Sequence, residues 1–130
     1  YNTFGGGPMA MAAAGAVMDV VENEGLAANA SKVGERLFGG LSRLQQKSDV
    51  VGDVRGRGLM VGVEIVKDKK SKDFAPELTI KIVESMKDSG VLVGRGGLEG
   101  NTLRIQPPLC WTAADADRAV AALETALSDA

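Results

Sequence analysis

The chain has 130 residues, 15 Lys plus Arg against 17 Asp plus Glu, a formal charge of −2 and no histidine. That length accommodates one compact core and not two full domains, and the charge lacks the basic excess of a polyanion binder. Without histidine this stretch cannot itself assemble a Ser-His-Asp triad, a Cys-His pair or most zinc and haem sites, and its single cysteine, Cys110, excludes an internal disulfide.

Gly5-Gly6-Gly7-Pro8 reads as a loop feeding a helix, with Pro8 near the first helical position. Ala- and Met-rich sequence then predicts a helix from Met9 to about Asn23, ended by Gly25. In the next segment Leu26, Ala30, Val33, Leu37, Leu41 and Leu44 step by three or four residues, the apolar stripe of a second helix; Gly34, Gly39 and Gly40 within it point to close packing. The period changes at Val50. Val50–Arg55 predicts a strand, Gly56-Arg57-Gly58 a turn, and Leu59–Val66 a second strand. Its apolar face is Leu59, Val61, Val63 and Ile65, opposite a mixed face of Met60, Gly62, Glu64 and Val66. Lys67–Asp73 is a charged surface loop, and Pro76 opens a third helix closed by Gly90. Val91-Leu92-Val93 predicts a short strand, residues 94–101 a loop, and Thr102–Gln106 a last strand stopped by Pro107-Pro108. Thr112 with Asp115 forms a capping box for a final helix to about Ser128. Cys110, between Leu109 and Trp111, is expected to be a packed thiol.

This order predicts an α+β fold: a mostly antiparallel sheet of three or four strands with helices packed on one face. No apolar run approaches the roughly 18 to 20 residues of a membrane span, and no basic segment leads an apolar one, so no signal peptide is expected. Neither nucleic acid nor membrane is an expected partner. A Gly-rich loop at residue 5 suggests a segment of a longer chain.

Two groups carry the chemistry on residue type alone. The glycines of Thr3-Phe4-Gly5-Gly6-Gly7-Pro8 let backbone N–H groups approach an oxyanion, and the following helix offers its positive dipole end. Thr3 adds a hydroxyl donor. The alternative is a plain flexible loop. Arg104 lies between Leu103 and Ile105 and faces away from them in an alternating strand. Its planar fork suits a carboxylate; the alternative is a surface or ion-paired Arg. Arg55-Gly56-Arg57-Gly58 is read as a hairpin turn rather than an RNA-binding segment, and Gly94-Arg95-Gly96-Gly97 as a plain loop.

Taken together, these segments resemble the class III aminotransferases, which use pyridoxal 5′-phosphate. Residues 3–8 resemble that family's T-F-G-G-[N/S]-P motif and residues 53–64 its V-R-G-x-G-L-M-x-G-x-E hairpin. Residues 90–94 resemble its G-[V/L]-L-[V/I]-G segment and residues 103–109 its R-[I/V]-x-P-P-L segment. All four stand in the family's order, and the loop at residues 96–101 looks most like the alanine–glyoxylate aminotransferase branch. The resemblance implies the C-terminal part of such an enzyme. Residues 1–25 would be the cofactor-phosphate loop and a helix from the large domain, and residues 26–130 the small C-terminal domain. It further implies that Thr3, Gly5 and Gly6 bind the cofactor phosphate of the neighbouring subunit in a homodimer, and that Arg104 clamps the substrate α-carboxylate. No catalytic residue and no metal ligand is implied here, because the Schiff-base lysine lies before the T-F-G-G motif and none of this chain's lysines has a suitable setting. The implied reaction moves an amino group from an amino acid to an oxo acid such as glyoxylate or pyruvate. Acetylornithine-, ornithine- and 4-aminobutyrate-type transamination share the scaffold, and a stand-alone domain binding an anion or partner is a different class of reading. The compartment implied is mitochondrial in a eukaryote or cytoplasmic in a bacterium.

Overall fold

The computed structural model describes residues 2–129. The elements run α1 (Pro8–Asn23), α2 (Leu26–Lys47), β1 (Val51–Arg57), β2 (Met60–Ile65), α3 (Pro76–Asp88), β3 (Gly94–Gly96), β4 (Thr102–Ile105) and α4 (Ala113–Ser128). The four strands form one antiparallel sheet in the order β1-β2-β4-β3. Sheet alternation sends Val54, Val61, Val63, Leu103 and Ile105 inward, where all are buried. Onto that face α2 and α3 pack, and α4 packs along both helices. Leu37, Leu41, Ile82, Met86 and Leu123 are fully buried in the resulting core. The α+β arrangement with helices on one sheet face is the one the sequence predicts.

The glycines of α2 explain how the helix can lie so close to its neighbours. A Cβ on Gly34 would sit 2.3 Å from the Gly58 carbonyl oxygen, so the helix backbone rests directly on the β1–β2 turn. A Cβ on Gly40 would meet a Val120 methyl of α4 at 2.6 Å. The predicted capping box is present: the Thr112 hydroxyl accepts from the Asp115 N–H, and the Asp115 carboxylate accepts from the Thr112 N–H.

Several details differ from the expectations. The turn between the first two strands is Gly58-Leu59 rather than residues 56–58, because the ladder continues to an Arg57–Met60 pair. Gly58 has φ of 55°, while Leu59 turns into the core. That φ pattern is the one of the II′ hairpin turn. Val66 leaves β2 and is buried, although alternation put it on the mixed face. It fits against Gly52, which lies at a bulge in β1, where a Cβ would come within 2.8 Å of the Val66 side chain. The third strand is Gly94–Gly96, not Val91–Val93. The Val91 N–H instead bonds the Met86 carbonyl at the end of α3, so these residues exit a helix rather than pair in a ladder. Cys110 is exposed, not packed. A turn closed by the Trp111 N–H to the Pro108 carbonyl carries it outward, while Trp111 packs against the core. The charged loop after β2 is ordered by Asp68, whose carboxylate accepts from the N–H groups of Lys70 and Ser71 and from the Ser71 hydroxyl.

Candidate functional site

The outward face of the sheet carries the candidate chemistry. One cross-strand row reads Arg55 on β1, Gly62 on β2, Arg104 on β4 and Gly94 on β3. Both cross-strand neighbours of Arg104 are therefore glycines, and no side chain stands beside it in its row. Its guanidinium lies over β3: a Cβ on Gly94 would be 3.1 Å from Arg104 Nε. Arg104 is exposed and makes no ion pair among the described residues. It lines a half-open cleft of about 170 Å³ with Leu92, Gln106, Pro107 and Trp111. A charged fork without an acid, set beside a rigid proline corner, is an arrangement that accepts an incoming carboxylate in bidentate geometry.

In the adjacent row Asp53 faces Glu64 across β1 and β2. Two carboxylates directly opposite repel, and Arg55 bridges them, with Nη1 2.9 Å from Asp53 Oδ2 and 2.8 Å from Glu64 Oε2. These contacts raise the proton affinity of the Arg55 guanidinium, the Asp53 hydrogen bond first and the Glu64 bond next. The buried Asn101 steadies the region from below, donating to the Ile65 carbonyl at 3.0 Å.

The second candidate group stands elsewhere. Residues 2–7 form a turn in which the Gly7 N–H bonds the Phe4 carbonyl and the Asn2 side chain accepts from the Phe4 N–H. Gly7 is the N-cap of α1, Pro8 follows, and no side chain caps the helix. The N–H groups of Met9 and Ala10 thus lack an intrahelical acceptor. Thr3 is exposed. A Cβ on Gly6 would meet nothing within 4 Å, and one on Gly5 would meet only the Asn2 side chain. Nothing rigid in this chain's own packing demands these glycines, so the space they keep open faces outward. Open backbone, an exposed hydroxyl and an uncapped helix start together fit a phosphate. Among the elements α1 packs only on α2, and no hydrogen bond or shared cleft joins the loop to Arg104 among the described residues.

A family model described as "Aminotransferase class-III" matches residues 1–127. The chain belongs to the class-III aminotransferase family. Within this aminotransferase family it is 48% identical over 128 residues to an Arabidopsis thaliana protein named alanine–glyoxylate aminotransferase 2 homolog 2, mitochondrial, covering 98% of this chain and 27% of that protein. Among solved structures it is similar to an amine transaminase from an uncultivated Pseudomonas species in its PLP-bound form, at 40% identity and a TM-score of 0.85, covering 94% of this chain and 28% of the other. It is also similar to a phospholyase from Arthrobacter in complex with phosphoethanolamine, at 36% identity and a TM-score of 0.91, covering 95% and 29%. The chain spans about a quarter of the length of the curated relative it matches.

Each lysine of this class-III aminotransferase segment is exposed except Lys69, which is half-buried and donates to the Gln45 carbonyl. A lysine made nucleophilic by shielding from water is therefore absent among the described residues. The residue reading singled out Arg104 but missed Gly62, Gly94 and the Arg55 bridge. Alternation had placed Gly62 and Glu64 on the mixed strand face. What it lacked was the strand order that sets them beside Arg104.

Proposed function

We propose that this chain is the C-terminal part of a pyridoxal-phosphate-dependent aminotransferase that moves an amino group from an amino acid to an oxo acid such as glyoxylate or pyruvate. The observation that carries this reading is the unpaired Arg104 guanidinium in its cleft on the open sheet face. Arg104 holds the carboxylate shared by amino donor and oxo acceptor, and so fixes where the reacting carbon sits. Thr3, Gly5 and Gly6 hold the cofactor phosphate through hydroxyl and backbone N–H donors. When bound, pyridoxal phosphate supplies the electron sink for breaking a bond at the substrate Cα. That no hydrogen bond or shared cleft joins the N-terminal loop to Arg104 among the described residues supports a homodimer in which the loop serves the neighbouring subunit. Residues 1–25 then belong with the large domain, a division supported by the lack of any buried residue in α1, and residues 26–130 form the small domain. The mitochondrial label of the plant relative supports a mitochondrial place for a eukaryotic form of this protein.

In the full-length enzyme, Arg104→Ala is expected to raise KM for both amino and oxo acid by about tenfold or more, the size of a lost hydrogen bond to a charged group. Steady-state kinetics with alanine and glyoxylate measure it. Unchanged KM values overturn the carboxylate role. The Arthrobacter relative favours one second reading, elimination from a phosphorylated amine. Release of inorganic phosphate from phosphoethanolamine, with no amino transfer to glyoxylate, would establish that reading instead.

A further inference from the structure

The cleft that holds Arg104 has one apolar side chain that the fold itself does not use. Val91, Val93, Ile105 and Trp111 line the cleft, and each belongs to the core or packs against it. Leu92 lines it too, and is 83% exposed. A lone exposed leucine is ordinary; what sets this one apart is its place. Its backbone is fixed from both sides. The Val91 N–H bonds the Met86 carbonyl at 2.9 Å and the Val91 side chain is buried, while Gly94, two residues on, pairs with Arg104. Extending the β3–β4 register by two residues sets Leu92 across from Gln106, on the sheet face that Gly94 and Arg104 share. Gln106 lines the same cleft, and no carboxylate does. A guanidinium over the Gly94 backbone is thus followed, one step along the same face, by an aliphatic side chain open to solvent.

We propose that Leu92 is a specificity-determining residue: it receives the alkyl group of the acid whose carboxylate Arg104 holds. The proposal rests on the reading of Arg104 as the carboxylate clamp and extends it to what lies beyond the carboxylate. An acid seated on the guanidinium presents its carbon chain to the rest of the cleft. Each methylene laid on Leu92 leaves water together with the leucine surface it covers. The Arg104 contribution is the same for every acid, whereas the Leu92 contribution grows with the length of the chain. The two are therefore separable by experiment.

The experiment uses the full-length holoenzyme and the dissociation constants of acetate, propionate and butyrate, three unreactive acids of increasing chain length, by calorimetry. In the parent each added methylene is expected to tighten binding about twofold to fourfold, the upper figure being that of a fully buried methylene. Leu92→Ala is expected to flatten this dependence to less than about 1.5-fold per methylene while leaving acetate within about twofold of the parent. Leu92→Gln, which keeps the length of the side chain but makes its end polar, flattens it likewise, and Leu92→Met, which keeps an apolar group there, preserves it. Because Leu92 is so exposed, these variants are expected to melt with the parent. The proposal is overturned if the parent shows no dependence on chain length, if Leu92→Ala keeps the parent's dependence, or if Leu92→Ala weakens acetate as much as butyrate, the mark of a general disturbance of the cleft. Arg104→Ala in parallel keeps the two readings apart. If it weakens all three acids about equally while Leu92→Ala changes nothing, the proposal alone falls; if it weakens none, the carboxylate reading falls and takes the proposal with it.

Discussion

The Thr112 hydroxyl donates to Asp115 Oδ2 at 2.6 Å and the Thr112 N–H donates to the same oxygen at 2.9 Å. Both bonds favour the ionised acid, the hydroxyl bond first, and hold the Asp115 carboxyl below the ordinary carboxylate range. The native state therefore takes up this proton less readily than the unfolded chain. The cap supports α4 fully above the unfolded value near 3.9, and its contribution is lost as pH falls through the depressed native value. Thr112→Val removes the hydroxyl, so the Asp115 titration midpoint is expected to rise toward the ordinary value. Carbon-detected NMR of the carboxyl follows it, and an unmoved midpoint would contradict the assignment. This cap was legible in the sequence because its two members stand three residues apart and need no tertiary partner. Arg104 was legible as a residue type in an alternating strand. Its freedom was not, since that depends on Gly62 and Gly94 flanking it from strands whose order no local pattern encodes.

Among the elements, α2 and the β1–β2 hairpin meet backbone to backbone at Gly34 and Gly58. Gly34→Ala places a methyl 2.3 Å from the Gly58 carbonyl oxygen and 2.6 Å from its Cα. No flexible side chain is there to yield, so the helix or the turn must move. Overpacking of this kind costs about 1 to 3 kcal/mol, more than the helix propensity that alanine gains over glycine. Thermal denaturation is expected to show a net loss of stability for Gly34→Ala, whereas Gly39→Ala, where a Cβ meets nothing within 4 Å, is expected to be neutral or stabilising. A stable Gly34→Ala protein would show that the hairpin is not held against α2. The helix α2 and the two strands of the β1–β2 hairpin were readable from their periods, and α1 from its Ala- and Met-rich composition. The strand near residue 94 was not: Val91, Leu92 and Val93 have strand-like residue types, but their place at the helix exit is fixed by the Val91 bond to Met86. The pairing of Gly94–Gly96 with β4 then uses residues of low strand propensity, a tertiary choice that overrides local preference.

At the scale of the whole molecule, α1 is an appendage. It has no buried residue, and Met9, Met11, Val17 and Met18 are each more than half exposed. A chain lacking residues 1–24 is therefore expected to keep the cooperative melt of the remaining fold and to bind less of a dye that reports exposed apolar surface. Loss of the melt would show that α1 supports the core. The sheet order has a kinetic meaning as well. The β1–β2 and β3–β4 ladders are hairpins closed by short turns, which form on a timescale of about microseconds. Only the β2–β4 seam joins chain distant in sequence, pairing Val61 with Ile105 across the whole of α3, and long closures of this kind set the pace of folding. Gly62 meets Arg104 along that seam. The sheet face that carries Arg104 is thus complete only once this seam has closed, so the carboxylate role proposed for Arg104 requires the whole sheet and not either hairpin alone.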